Sequence, residues 1–252
     1  MRLLILGGTT EASELGRALA GDTRVVAEMS LAGRTRNPLP QPLPCRTGGF
    51  GGAEGLARYL VDNRIDALID ATHPFAARMT ANAVVAAHAT GTKLLVVLRP
   101  AWEPATGDRW NTVADMEAAA VALGAAPRRV FLTVGQKDLL PFRAAPQHRY
   151  VLRSVDPPAP ETLPPDVEVI AARGPFMEAD ERRLLVGHRI DVIVTKNSGG
   201  HATQAKLAAA RALGLPVVMV RRPPAPPAET VARVSQVLEW LERLHAAAPR
   251  GA

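Results

Sequence analysis

The sequence predicts an α/β fold of parallel sheets with helices on both faces, divided into two domains. Three observations predict it. Short apolar runs alternate with longer Ala- and Leu-rich stretches of helical period, the signature of repeated strand–helix units. The chain has 252 residues, and at roughly 100–150 residues per domain that is room for two. Two segments also echo each other. Residues 65–100 run Ile-Asp-Ala-Leu-Ile-Asp, a loop, an Ala-rich helix, Gly91 and Leu-Leu-Val-Val-Leu-Arg-Pro. Residues 190–223 run Ile-Asp-Val-Ile-Val-Thr, a Gly-rich loop, an Ala-rich helix, Gly214 and Pro-Val-Val-Met-Val-Arg-Arg-Pro. Equivalent packing demands equivalent patterns, so the echo speaks for shared architecture more than for shared ancestry.

In chain order, the apolar run Leu3-Leu4-Ile5-Leu6 predicts a strand over 2–6, and Gly7-Gly8-Thr9-Thr10 turns it into a helix over 11–20. A strand follows over 25–29. Pro38 to Pro44 is a loop by composition, and a helical period returns over 53–63. A strand over 67–71 ends at Asp70-Ala71, and Pro74 fits the first helical position of a helix over 76–90, capped by Thr72 or His73. A strand over 94–98 and a helix over 113–123 complete the first half. Gly124 to Pro127 is the expected boundary, giving domains 1–126 and 127–252. Beyond it come strands over 129–134, 149–153 and 167–171, a helix over 178–186, a strand over 191–195, a helix over 201–213, a strand over 216–220 and a helix over 228–246. The Pro-rich stretches 157–165 and 223–227 are loops, too short to act as tethers.

Composition excludes several classes. Hydrophobic residues make up 47% and charged residues 21%, which rules out wholesale disorder. No apolar run is long enough for a membrane span, and the N-terminal one is too short for a signal peptide. The single cysteine, Cys45, excludes a disulfide framework and a cysteine metal cage. The expectation is a cytoplasmic protein without a metal. Net charge is +6. Residues 1–125 carry 12 basic and 12 acidic residues and residues 126–252 carry 18 and 12, so the excess falls in the second half. No basic run exceeds two residues and only ten aromatics are present, which argues against nucleic acid or a membrane surface as partner. An anionic small molecule fits better.

In an open parallel sheet, ligands lie beyond the carboxyl ends of the strands. Five loops in such positions carry chemistry. Gly7, Gly8, Thr9, Thr10 and Glu11 open the first helix, where free N–H groups and the positive end of the helix dipole hold phosphate. The pattern is neither a full Gly-x-Gly-x-x-Gly fingerprint nor a Walker A loop, and an ordinary tight turn capped by Thr10 would read the same way. About 20 residues further on, where an NAD site places an acid, stand Ser30, Arg34 and Arg36, a hydroxyl and two guanidiniums suited to a 2′-phosphate. Glu28 is near, and the strand's parity decides where it points. Asp70-Ala-Thr72-His73-Pro74 ends a strand with a histidine able to donate a proton; a capping turn with a surface histidine is the plainer alternative. Gly135, Gln136 and Lys137 follow Thr133, and Lys196, Asn197, Ser198, Gly199 and Gly200 follow Thr195. Two lysines in equivalent loops suit a ligand with several carboxylates, although a lone lysine at a helix start is usually only solvated. Neither tyrosine has a lysine four residues on, so the Tyr-x-x-x-Lys couple is missing, as are Gly-x-Ser-x-Gly, His-Glu-x-x-His and Cys-x-x-Cys.

Ile5-Leu-Gly-Gly-Thr-Thr-Glu-Ala, Asp70-Ala-Thr-His-Pro-Phe-Ala, Thr195-Lys-Asn-Ser-Gly-Gly and the stretch from Lys206 to Pro223 together resemble the precorrin-6A reductases of cobalamin biosynthesis. The resemblance covers essentially the whole chain in order. It implies two Rossmann-like domains with the active site in the cleft between them, and NADPH-dependent reduction of a ring-D double bond in a tetrapyrrole that carries many carboxylates. It implies that Gly7 to Glu11 cradle the dinucleotide phosphates and that Ser30, Arg34 and Arg36 clamp the 2′-phosphate. Thr72, His73 and Pro74 would lie near the nicotinamide. Gly135, Gln136, Lys137, Lys196, Asn197, Ser198, Gly199 and Gly200 would face the substrate. His73 and Lys137 are the candidate proton donors. Free release of the product and hand-over to the next pathway enzyme both remain open, as does cobalt in the substrate. Two other classes also stay open: a nucleotide-sugar enzyme with two such domains, and a non-catalytic nucleotide-binding module.

Overall fold

The computed structural model describes residues 1–33, 39–224 and 227–247. The chain begins with β1 (Arg2–Leu6), α1 (Thr10–Leu19), β2 (Val26–Leu31), β3 (Cys45–Thr47), α2 (Ala53–Asp62), β4 (Ala67–Asp70), α3 (Ala77–Thr90) and β5 (Lys93–Val97). It continues through β6 (Arg109–Val113), α4 (Met116–Ala122), β7 (Arg129–Thr133), α5 (Leu140–Arg143), β8 (Arg149–Ser154), β9 (Val167–Ala171), α6 (Glu178–Gly187), β10 (Val192–Lys196), α7 (Ala205–Ala212) and β11 (Pro216–Val220). It closes with β12 (Thr230–Val231) and α8 (Val234–Ala247).

The strands form two six-stranded sheets, in the orders β3-β2-β1-β4-β5-β12 and β9-β8-β7-β10-β11-β6. Every pairing in both is parallel. Each is the 3-2-1-4-5-6 doubly wound order, with one substitution: the sixth position goes to a strand outside the main run. In the first sheet β12 arrives from the far end of the chain. In the second, β6 precedes β7.

The contacts accordingly divide the chain into one unit of residues 1–100 with 223–252, and another of 101–222. The boundary expected at 126/127 falls inside the second unit. Two non-local pairings cause this. β6 pairs with β11 from Arg109↔Pro216 to Val113↔Val220, which draws the region before Gly124 into the second unit. The C-terminal helix α8 returns to the first, where Val237, Trp240 and Leu241 share a core with Leu15 and Leu19 of α1. The charge asymmetry disappears with the boundary: the first unit holds 14 basic and 11 acidic residues and the second 16 and 13, so each carries half of the excess.

Strands covered on both faces need apolar residues throughout. In the first unit Leu3 and Ile5 face α1 and α8, while Leu4 and Leu6 face α2 and α3 through Leu56, Leu60, Ala83 and Ala86. In the second, Phe131 and Ile193 pack with Leu185 of α6 and Leu207 of α7. On the other face Phe142 of α5 meets Tyr150 edge-on, ring centroids 6.0 Å apart. No helix among the described residues is long and apolar enough to cross a membrane, and among them no cluster of potential metal ligands occurs.

Candidate functional site

In a 3-2-1-4-5-6 sheet the strand order reverses between the first and fourth positions, and the crevice opens there. In the first unit those strands are β1 and β4. The Gly7 N–H donates to Ser30 O at 2.9 Å, and a Cβ on Gly7 would stand 3.0 Å from the Met29 side chain, which would have to shift to admit it. Gly8 has φ +110° and open space where a Cβ would be. Thr9, not Thr10, caps α1: its Oγ1 accepts from Ala12 N at 3.2 Å and donates to Ala71 O at 2.7 Å, tying the ends of β1 and β4 together. Among the described residues, the N–H groups of Gly8, Thr9, Thr10 and Glu11 donate to no protein acceptor. Thr9, Thr10 and Glu11 are orphan donors of a ten-residue helix, and Gly8 lies in the turn before it. Glu11 would repel an anion there, but its carboxylate is neutralised by Arg99, just past β5, at 2.6 Å.

At the end of β4, Asp70 is 1% exposed. Its Oδ1 accepts from Thr72 N at 3.0 Å and from Thr72 Oγ1 at 2.7 Å. Its Oδ2 is buried without a partner among the described residues. His73 is exposed, and its Nδ1 accepts from Phe75 N at 3.2 Å, which leaves the ring proton on Nε2 in the neutral form. Pro74 does not open a helix. His73 to Ala76 form a separate turn, closed by Ala76 N on His73 O at 2.7 Å, and α3 starts at Ala77 without a side-chain cap.

The end of β2 carries Ser30, 6% exposed. Arg34 and Arg36 lie outside the described residues. A residue the sequence reading passed over takes its place beside Ser30. Arg46 on β3 is the register partner of Ser30 and donates to its Oγ at 2.7 Å. No motif announces Arg46, because its position depends on the pairing of a three-residue edge strand. Glu28 points to the same face, where it accepts from the Tyr59 hydroxyl at 2.5 Å. Burial, and then that bond, push the Tyr59 phenol up to about 12.

In the second unit the reversal lies between β7 and β10. Gly135, Gln136 and Lys137 are exposed there. Asp138 Oδ2 accepts from Gly135 N at 3.0 Å and pairs with Lys196 Nζ at 2.5 Å. Asn197 brackets the backbone of Trp102, accepting from its N–H at 2.8 Å and donating to its carbonyl at 2.9 Å, so its amide is committed to the scaffold. Arg222 Nε donates to Asn197 O at 2.7 Å. Ser198 is buried, and Gly199 and Gly200 take positive φ, +64° and +82°. The sequence-predicted loops thus gather as two groups: Gly7–Glu11, Ser30 and Thr72–Pro74 at the strand ends of one unit, Gly135–Lys137 and Lys196–Gly200 at those of the other.

Comparison with known proteins matches this arrangement to one family over nearly the whole chain. A family model described as "Precorrin-6x reductase CbiJ/CobK" matches residues 2–242. A precorrin-6A reductase from Sinorhizobium sp is 57% identical over 221 residues, 88% of this chain and 85% of that one. A solved structure described as CobK precorrin-6A reductase superposes with a TM-score of 0.92 at 50% identity, covering 100% of both chains. A cobalt-precorrin-6A reductase from Methanothermobacter thermautotrophicus is 30% identical over 88% of this chain and 77% of its own. With the doubly wound order, the glycine loop at its reversal point and this match from residue 2 to residue 242, the chain belongs to the precorrin-6x reductase family.

Proposed function

We propose that the chain reduces precorrin-6A with NADPH, saturating a ring-D double bond of a cobalt-free tetrapyrrole in cobalamin biosynthesis, in the cytoplasm. The observation that carries the cofactor is the Gly7–Glu11 loop. It combines four undonated N–H groups at a helix start, an open face over Gly8, and a Glu11 already neutralised by Arg99. The higher identity to a relative named for precorrin-6A than to one named for its cobalt form favours the metal-free substrate.

Bound NADPH supplies the hydride. The residues of the chain align and neutralise. Gly8, Thr9, Thr10 and Glu11 present N–H groups to the diphosphate at the turn that Gly7 begins, and Ser30 with Arg34 and Arg36 takes the 2′-phosphate. The Thr72-His73-Pro74 turn borders the nicotinamide, with the exposed His73 able, as an imidazolium, to give a proton to the carbon beside the one reduced. Lys137 is the other donor this reading admits. Gly135, Gln136, Lys137, Lys196, Ser198, Gly199 and Gly200 receive the macrocycle and its carboxylates, with Asn197 holding their loop in place.

The test is anaerobic incubation of the purified chain with precorrin-6A and NADPH deuterated at the transferring carbon. Expected is consumption of NADPH matched by a product that is two hydrogens heavier, one of them deuterium. Binding of UDP in place of NADPH, or no turnover of the tetrapyrrole, overturns the reading. Arg34→Ala is expected to weaken NADPH far more than NADH. A His73→Ala enzyme with undiminished single turnover and full yield removes His73 from the proton step.

A further inference from the structure

We infer that Arg46 is a specificity-determining contact to the 2′-phosphate of NADPH; the inference rests on the NADPH reading above and extends its site to a third strand. Four observations carry it. The first is position. In this strand order the ribose hydroxyls of a dinucleotide lie off the carboxyl end of the second strand, which is where Ser30 stands. Arg46 is its ladder partner on β3, so a buried hydroxyl and a guanidinium share one spot.

The second is what happens to the acid. An enzyme selecting NADH uses a carboxylate on the ribose diol. The one carboxylate on this face of β2, Glu28, lies two residues back from Ser30 and is occupied by the Tyr59 hydroxyl at 2.5 Å.

The third is the state of the guanidinium. Its Nη1 donates to Ser30 Oγ at 2.7 Å and Gly48 O at 3.2 Å, and its Nη2 donates to Gly49 O at 3.3 Å. Three of five N–H groups are used. Nε–H and one Nη2–H remain, two donors that lie on one edge of the fork when Gly49 O takes the Nη2–H facing Nη1. None of the three partners is anionic, and among the described residues Arg46 has no carboxylate within ion-pair distance. A cation held in place by neutral dipoles is a receptor for an anion.

The fourth is rigidity. The guanidinium lies 4.0 Å over the Phe50 ring and 5.2 Å from that of Tyr59, and the two rings meet edge-on with centroids 5.1 Å apart. The Phe50 carbonyl sits where a Cβ on Gly55 would be, at 1.6 Å, so the loop is seated on the start of α2. A fork fixed in this way loses little freedom when it binds.

The test compares wild type, Arg46→Met and Arg46→Lys in titrations with NADPH, NADH, 2′,5′-ADP and 5′-AMP. Arg46→Met is expected to bind NADPH and 2′,5′-ADP about 10- to 100-fold more weakly, with NADH and 5′-AMP unchanged. Arg46→Lys, which keeps the charge and loses the fork, is expected to fall between. Equal losses for all four ligands would assign Arg46 to holding the Gly48–Phe50 loop and overturn the inference. So would a variant that keeps the full preference for NADPH; in that case the NADPH reading itself would stand. Wild type that binds NADPH no better than NADH would remove both.

Discussion

The two units share a strand order and differ in what occupies the reversal point. In the first, β1 runs through two glycines into a ten-residue helix, and the donors at its start are left to a ligand. In the second, the equivalent turn after β7 enters a single 3₁₀ turn and then the four-residue α5, with Pro141 at its second position. Its leading N–H, on Gly135, already has an anion: the carboxylate of Asp138, itself paired with Lys196. One unit leaves the N–H groups at this place without a protein acceptor; the other has filled the same place from its own chain. The parallel extends to the fifth strands. Arg99 and Arg222 each stand two residues past one, and each reaches a loop at its own reversal point, Arg99 through Glu11 and Arg222 through Asn197 O. The same fold thus yields a helix start with undonated N–H groups or a turn closed by its own acid, depending on helix length and one carboxylate.

The sharpest way to break this comparison is to place the same methyl group in both loops. Gly8→Ala forces a Cβ into a φ of +110° and into the open space above the helix start. NADPH binding is expected to weaken about 100-fold, from left-handed strain of ~1–2 kcal/mol plus lost backbone approach. Gly135→Ala sits at φ −79° and meets only the Asp138 carboxylate, at 3.0 Å, so NADPH binding should not change. Fluorescence titration with NADPH checks both. A matching loss in Gly135→Ala would mean that the second unit also holds the nucleotide.

The interior strands were legible in the sequence because burial on both faces demands runs such as Leu3-Leu4-Ile5-Leu6. The edges were not. Cys45-Arg46-Thr47 and Thr230-Val231 have no apolar period, and Arg109–Val113 alternates with polar residues, so these three edge strands read as loop or helix. They also set the unit boundary and the place of Arg46, since each is defined by a distant partner and not by its own residues. Gly7–Glu11 was readable as a tight glycine turn into a helix start, for that geometry lies in consecutive backbone groups. The task of Asn197 was not, because Trp102 lies 95 residues away.

The interiors differ as well. Among the described residues the buried polar side chains of the first unit are Ser30 and Asp70, whereas the second buries His148, Thr195, Ser198, Arg153, Glu181 and Lys206, with Arg153 and Glu181 ion-paired. Lys206 is 3% exposed, donates to Thr203 O at 2.7 Å and lies 4.9 Å from the Trp102 ring. Burial, and secondarily repulsion from Arg153, push its ammonium down from 10.5 to about 7. A lysine lowered in the folded state makes folding less favourable wherever it is charged in both states. That cost is therefore full below about pH 7 and is relieved as pH rises toward 10.5. Lys206→Met is expected to raise unfolding stability by about 1–3 kcal/mol at pH 6, with the gain shrinking toward pH 10. Denaturant unfolding at the two pH values checks this. An equal gain at both would show that the ammonium is not strained by its site.

Asp138→Asn has the smallest expected effect and asks the comparison's central question. The amide oxygen can still accept from Gly135 N, so the turn should persist, but Lys196 loses the carboxylate 2.5 Å away. Stability should fall by about 1 kcal/mol, the typical net worth of one such hydrogen bond. With one acid fewer beside Lys196, the affinity of the second unit for polycarboxylates should rise, read by isothermal titration with a tricarboxylate. The stoichiometry of NADPH decides what the acid was for. If a second equivalent binds, one carboxylate is all that separates a basic loop from a nucleotide loop. If a single equivalent binds, the difference lies deeper: a four-residue helix has too few aligned peptide dipoles to hold a diphosphate, and Asp138 only neutralises a lysine that waits for a substrate carboxylate.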